Sequence, residues 1–183
     1  MYGDPEKLPA HETTTPKPLS PYGLSKLLAE ETIRYYSSNN NFSHLVFRYA
    51  NVYGPRQNPK GEAGVVAIFG ALMKKGVSPT IFGDGTKTRD YVHVDDIVRA
   101  NVLALTKGTN TTINLGWGKE IQDKEIFDTI ARATKFKNTP TLAPHRDGEL
   151  LRASLNATLA HTTIGWKPKV SLKNGIAKTA RLL

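Results

Sequence analysis

Residues 20–26 read Ser-Pro-Tyr-Gly-Leu-Ser-Lys, and this stretch carries the strongest local signal in the chain. Ser20 is a favourable N-cap residue, and Pro21 suits the first position of a helix. Tyr22 and Lys26 are four residues apart, so on a helix they share one face about one turn apart. The stretch therefore predicts a helix that begins at Pro21, ends near residues 37–41 and presents a tyrosine and a lysine together.

A tyrosine beside a lysine is a combination that can move a proton. An isolated phenol is a poor base at neutral pH, and a neighbouring ammonium group favours the phenolate form that a tyrosine general base needs. The spacing alone is weak evidence, because such pairs also occur by chance on amphipathic helices. The flanking sequence has to decide between the two interpretations.

Short apolar segments alternate with helical patterns after residue 26. We predict strands at residues 44–49, 80–82, 89–92 and 112–115, helices at residues 65–75, 95–107, 121–134, 156–164 and from 172 onward, and a loop at residues 51–61. This alternation predicts an α/β protein. Residues 44–49 and 112–115 are suited to a buried parallel sheet, and no G-x-G-x-x-G turn is present. The chain thus resembles the end of a doubly wound fold without its beginning.

The composition narrows the functional classes. The chain has 183 residues, of which 39% are hydrophobic and 22% charged, enough for one domain with a core. No apolar run approaches the roughly 20 residues that span a bilayer, and the first residues show no basic region followed by an apolar one, as a signal peptide would, so we expect a cytoplasmic protein without a membrane partner. Cysteine is absent and the histidines lack metal-ligand spacing, so no metal site is predicted.

The formal net charge of +9 raises the question of nucleic-acid binding. The basic residues are spread along the chain, and no arginine-rich stripe interleaved with aromatic residues is present. We therefore predict no nucleic-acid partner. A generally basic surface and a pocket for an anionic small molecule both remain open.

Further motifs occur in a fixed order around residues 20–26. They are YGD at residues 2–4, RYANVYGPRQ at 48–57, IFGDG at 81–85, TRDYVHVDD at 88–96, RDGE at 146–149 and GWKP at 165–168. In this order and spacing the sequence resembles the extended short-chain dehydrogenase/reductases, the NAD-dependent epimerases and dehydratases, from Tyr2 to the C-terminus. Among them it most resembles the UDP-glucose 4-epimerases.

The resemblance implies a fold and a division of the chain. It implies the C-terminal part of a doubly wound Rossmann-type parallel sheet plus a small α/β substrate-binding domain. Residues 1–60 would be the tail of the dinucleotide-binding domain with the Tyr-x-x-x-Lys helix. Residues 61–183 would be mainly the nucleotide-sugar domain, with residues 112–115 returning to the main sheet.

The resemblance also implies roles for individual residues. Tyr22 would be the general base that takes the proton from the sugar 4-hydroxyl while hydride passes to NAD. Lys26 would bind the nicotinamide ribose and hold the phenolate form, and Tyr49 and Val52 would flank the nicotinamide end. The implied substrate contacts are Asn51 for the phosphates, Thr80 and Phe82 for the uracil, Arg89 for the diphosphate, and Arg146 and Glu149 for phosphate and ribose.

Three family features have no counterpart in this sequence, because the match begins at Met1. These are the glycine-rich dinucleotide turn, the acidic residue for the adenosine ribose and a Ser or Thr shortly before Tyr2. We therefore expect a truncated epimerase-related chain that lacks most of its NAD site and is inactive alone. Its expected partners are a UDP-sugar and either a separate N-terminal half or a second copy of the chain.

Two alternatives stay open at this point. The chain could be a non-catalytic remnant or subunit that binds UDP-sugars, or a related nucleotide-sugar 4,6-dehydratase or reductase. Ala153 matches a family position that sets the room for the 2-substituent of the sugar, and its small side chain would tolerate an N-acetyl group.

Overall fold

The computed structural model describes residues 1–60, 64–146 and 148–182. Within these ranges the helices are α1 (Pro21–Asn40), α2 (Val65–Lys74), α3 (Val94–Ala104), α4 (Asp123–Thr134), α5 (Thr158–Ile164) and α6 (Leu172–Arg181). The strands are β1 (Leu45–Tyr49), β2 (Asn51–Tyr53), β3 (Thr80–Phe82), β4 (Thr88–Arg89), β5 (Tyr91–His93), β6 (Thr111–Leu115), β7 (Ile121–Gln122) and β8 (Thr141–Ala143). The predicted α/β class is confirmed.

Parallel pairing predominates among the described strands. β1 pairs with β6, β2 with β5 and β3 with β8, all in parallel, whereas β4 and β7 pair antiparallel. Residues 44–49 and 112–115, which the sequence predicts to suit a buried parallel sheet, do pair in parallel, with Phe47 opposite Ile113. Only Arg48 of β1 is buried, whereas the last three residues of β6 are. Because paired parallel strands end at the same edge, residues that follow β1 and β6 come to one side of the fold.

The sequence prediction was wrong in four places. Residues 51–53 are strand β2 rather than loop, and residues 121–122 are strand β7 rather than helix. The strand predicted at residues 89–92 is divided at Asp90 into β4 and β5, and β8 was not predicted. Each of these strands has two or three residues, so its partner rather than its own sequence stabilises it. Residue 61, the last of the predicted loop, lies outside the described residues.

Two hydrophobic clusters hold these elements together. One joins α2, α4 and α6 through Phe69, Ile130 and Ile176. The other lies between the β1–β6 pair, α3 and α5, and contains the fully buried Trp166. Trp166 lies two residues after the end of α5.

Glycine is required at position 175 because α6 passes close to β2 and β5. A β-carbon there would lie 2.2 Å from the Tyr53 hydroxyl oxygen and 3.0 Å from Cδ2 of His93. Alanine is the better helix former by about 1 kcal/mol, but overpacking a core costs about 1–3 kcal/mol. We therefore expect Gly175→Ala to lower the free energy of unfolding, measured by urea denaturation, by up to about 2 kcal/mol.

Tyr53→Phe provides a matched test of that explanation, because it removes the closest atom and leaves Cζ at 2.9 Å. In the Tyr53→Phe background, Gly175→Ala should lower the free energy of unfolding by less than it does in the wild type. A stabilising effect of Gly175→Ala in the wild type, as helix propensity alone predicts, would show that the close approach is not rigid.

Candidate functional site

The N-terminus of α1 is built as the sequence predicts. The Ser20 hydroxyl accepts a hydrogen bond from the Gly23 N–H at 3.1 Å, Pro21 occupies the first turn, and Asn41 ends the helix with a φ of 54°. The Lys26 Nζ lies 5.1 Å from the centroid of the Tyr22 ring. The Tyr22 side chain is 68% exposed, so this pair is available to a ligand.

A cavity of about 500 Å³ opens beside this pair. Its walls come from the first ten residues, α1, the end of β1 and residues 150–155. Four of the predicted site residues line it, namely Tyr22, Lys26, Tyr49 and Asn51, and so does Ala153. The fold thus brings residues that are more than a hundred positions apart in the sequence to one opening.

The other predicted site residues do not line this cavity. Val52 is half-buried in β2, where it pairs with Val92 of β5. Thr80 and Phe82 are the two ends of β3. The Arg146 guanidinium stacks on the Phe82 ring, with Cζ 3.7 Å from the ring centroid. Asp147, part of the predicted RDGE motif, lies outside the described residues.

Arg89 fastens the segment that forms one wall of the cavity. Its guanidinium donates to the carbonyl oxygen of Thr88 at 2.8 Å and to that of Leu150, which lines the cavity. The Thr88 N–H also donates to the carbonyl oxygen of Leu151 at 2.9 Å. Arg89 therefore couples β4 to the segment that follows Glu149.

Glu149 is held by an ion pair that the sequence analysis did not predict. The Lys87 Nζ lies 2.6 Å from Glu149 Oε1 and 3.2 Å from a carboxylate oxygen of Asp123. The second oxygen of Glu149, Oε2, is buried and has no hydrogen-bond partner among the described residues. That oxygen is a free acceptor on an otherwise fixed carboxylate.

Asp90 forms part of the cavity wall, and the sequence analysis did not nominate it. Its buried carboxylate accepts hydrogen bonds from the N–H groups of Trp117 and Gly118, both at 2.9 Å, and of Leu155 at 3.2 Å. Burial raises the pKa of the Asp90 carboxyl, although these three donors oppose the rise. The carboxylate ties the loop after β6 to the segment at residues 150–155. In the sequence, only its place in the TRDY motif at residues 88–91 could have pointed to Asp90.

A buried polar network in the cavity wall was also missed. Arg48 of β1 donates to Glu30 of α1 at 2.8 and 2.6 Å and to the Tyr2 hydroxyl at 2.7 Å. The Tyr2 hydroxyl in turn donates to Asn114 Oδ1 of β6 at 2.8 Å. Burial alone would lower the pKa of the Arg48 guanidinium, but the hydrogen bonds to Glu30 and Tyr2 raise it above its usual value. The presence of Arg48 and Tyr2 in the motifs was the only sequence signal.

His93, which is not one of the predicted site residues, has a structural role. It is fully buried, and its Nδ1 caps α3 by accepting from the Asp95 N–H at 3.2 Å. Burial lowers the pKa of the His93 imidazole. Within the described ranges no group of three or more histidine, aspartate or glutamate side chains is placed to hold a metal ion. No described helix has both the length and the apolar character needed to cross a membrane.

Comparison with known proteins gives a consistent result. The family model for the NAD dependent epimerase/dehydratase family matches residues 1–116. A UDP-glucose 4-epimerase of Mycolicibacterium smegmatis is 42% identical over 180 residues, which cover 98% of this chain and 58% of the relative. The chain therefore spans somewhat more than half the length of this curated relative.

Two solved structures superpose closely on the chain. The UDP-glucose 4-epimerase of Thermotoga maritima, solved with UDP-glucose, superposes with a TM-score of 0.95 and 44% sequence identity. The match covers 99% of this chain and 59% of the Thermotoga chain. The UDP-glucose 4-epimerase of Thermus thermophilus, solved with NAD, has a TM-score of 0.88 and 39% identity, with coverages of 98% and 59%.

Proposed function

Because the chain belongs to the NAD dependent epimerase/dehydratase family, we propose that it supplies the nucleotide-sugar site and the proton-transfer pair of a UDP-sugar 4-epimerase. One observation carries the proposal. The cavity beside α1 brings Tyr22 and Lys26 to the same opening as Asn51, at the start of β2, and Ala153. A sugar in this cavity would have an acid–base pair on one side and a small side chain on the other.

In this proposal Tyr22 moves the proton of the sugar 4-hydroxyl. The phenolate oxygen accepts that proton during oxidation and returns it during reduction. The Lys26 ammonium, which lies against the Tyr22 ring, stabilises the phenolate by charge and orients it. Both side chains are exposed at the cavity, so neither has to leave a buried partner before it reacts.

The diphosphate and uridine would lie beyond the cavity, towards β3. Arginine has the planar fork that suits phosphate oxygens, which supports Arg89 and Arg146 as diphosphate ligands together with Asn51. The free Oε2 of Glu149 could accept from a ribose hydroxyl. Phe82, already stacked with Arg146, offers a flat surface beside the uracil, with Thr80 at the other end of the strand.

The residues at the cavity also fit one end of NAD. Lys26 offers an exposed ammonium donor for the nicotinamide ribose, and Tyr49 offers a half-exposed ring; Val52, outside the cavity lining, lies three residues after Tyr49 in β2. NAD, when bound, reversibly accepts the hydride from the sugar. The sequence has no glycine-rich turn for the pyrophosphate. We propose that residues outside this sequence, in a longer chain or a second one, hold the rest of the cofactor.

The same proposal extends to the division of the chain. Residues 1–60 would belong to the dinucleotide-binding side and residues 61–183 mainly to the substrate side. The pairing of β6 with β1 supports the return of residues 112–115 to the main sheet.

Isothermal titration calorimetry with UDP, UDP-glucose and NAD tests the proposal. We expect UDP and UDP-glucose to bind, and Arg89→Ala to weaken UDP at least about tenfold, because a lost charge-assisted hydrogen bond is worth about 1.5–3 kcal/mol. Arg132→Ala is the matched control, since Arg132 is an exposed arginine of α4 that does not line the cavity. Failure of the wild-type chain to bind UDP, or equal affinity in both variants, would contradict the assignment.

A further inference from the structure

Helix α1 carries Tyr22 and Lys26, but its apolar side chains do not dock it on the rest of the described structure. Its buried residues are Gly23, Glu30 and Ser37, which are seven positions apart and form one narrow stripe. Its large apolar side chains are exposed, including Leu24, Leu28, Ile33, Tyr35 and Tyr36. A surface helix usually buries an apolar face instead. The position of α1 therefore depends on the few contacts along its polar stripe.

The contact in the middle of that stripe is a two-point ion pair. Arg48 Nε lies 2.8 Å from Glu30 Oε1, and Arg48 Nη2 lies 2.6 Å from Glu30 Oε2. The side chains are only 7% and 5% exposed. Two parallel hydrogen bonds between planar groups fix the orientation of the partners as well as their separation.

The ion pair is in turn fixed to the sheet from behind. Arg48 Nη1 donates to the Tyr2 hydroxyl at 2.7 Å, and that hydroxyl donates to Asn114 Oδ1 of β6 at 2.8 Å. Asn114 is fully buried and donates from Nδ2 to the carbonyl oxygen of Ala10 at 3.0 Å. One polar network thus connects α1, β1, β6 and the N-terminal segment.

We propose that Glu30 and Arg48 are positioning residues that set the height and angle of α1 on the sheet. Lys26 is one turn and Tyr22 two turns before Glu30 on the same helix. Arg48 directly precedes Tyr49 in β1, and the cavity is lined by Glu30 and Arg48 themselves as well as by Tyr49 and Asn51. The ion pair therefore aligns the proton-transfer pair with the cavity wall. The purpose of this alignment rests on the proposed function, but the position of α1 can be measured without any nucleotide.

Distance measurements between spin labels test the proposal directly. The chain has no cysteine, so pairs of introduced cysteines can be labelled cleanly. The first pair, Leu28→Cys on α1 and Leu105→Cys after α3, reports the position of α1. The control pair is Leu105→Cys and Leu142→Cys of β8. All three sites are exposed. In Arg48→Met we expect double electron–electron resonance to show the first distance shifted and its distribution broadened, with the control pair unchanged.

Two further variants separate positioning from plain stability. Ile130→Val weakens the other hydrophobic cluster and should lower the melting temperature without moving α1. Glu30→Leu with Arg48→Met replaces the ion pair by apolar groups, and it should regain melting temperature relative to Arg48→Met while α1 remains displaced. Wild-type distances in the double variant would overturn the proposal. Loss of UDP binding in the unmodified chain would instead count against the proposed function and leave these distances unaffected.

Discussion

Arg48→Met is expected to lower the free energy of unfolding by about 3–5 kcal/mol, because it leaves one member of a buried ion pair without its partner. The Glu30 carboxylate, whose side chain is 5% exposed, would lose its two hydrogen bonds from Arg48 and keep only the longer one from Arg34, at 3.3 Å. The Tyr2 hydroxyl would lose a donor at the same time. Urea denaturation followed by circular dichroism measures the change, with the midpoint and slope compared between variants.

Arg34→Met is the matched control for this prediction. Arg34 also pairs with Glu30, at 3.3 Å, but its side chain is 41% exposed. Solvent screens such a pair, so its loss should cost no more than about 1 kcal/mol. Equal effects of the two substitutions would mean that burial does not set the strength of the Arg48 interaction.

Asp96→Ala is expected to lower the free energy of unfolding by about 3–5 kcal/mol, because it removes a fully buried carboxylate that accepts several hydrogen bonds. Asp96 accepts from Arg99 Nη1 at 2.7 Å and from the N–H groups of Lys169 and Val170, each at 3.0 Å. These bonds attach the segment between α5 and α6 to α3. Removal of the carboxylate would leave backbone donors unsatisfied beside Trp166, whose Nε1 donates to the Asp96 carbonyl oxygen at 2.7 Å.

Thermal or urea unfolding of Asp128→Ala provides the comparison for Asp96→Ala. Asp128 pairs with Lys124 at 3.2 Å on α4, and both side chains are largely exposed. Its loss should change the free energy of unfolding by no more than about 0.5 kcal/mol. A small effect at Asp96 would contradict its role as the attachment point of the C-terminal segment.

The family and the fold class could be predicted from the sequence, and both predictions are confirmed. The ordered motifs carry that information because each is a short local pattern. The helix N-cap and the tyrosine–lysine pair at residues 20–26 are an example. The bounds of α1 and β1 followed from the same local signals, since Ser20, Pro21 and Asn41 begin and end the helix by their own backbone preferences. The roles of the individual site residues stay predictions.

The polar contacts around the cavity could not be predicted, for a physical reason. Tyr2 and Asn114 are 112 positions apart and meet only because β6 pairs with β1. Likewise, Asp90 becomes a buried acceptor only when the loop after β6 and the segment at residues 150–155 fold over it. An Asp or Arg in a sequence gives no sign of its burial, because burial depends on which strands pair.

The most direct test of the central claim is a crystal structure of the chain with UDP-glucose. We expect the glucose to occupy the cavity beside α1, with its 4-hydroxyl within hydrogen-bonding distance of the Tyr22 hydroxyl and the diphosphate near Arg89 and Arg146. UDP-glucose bound elsewhere, or with its sugar turned away from Tyr22, would contradict it.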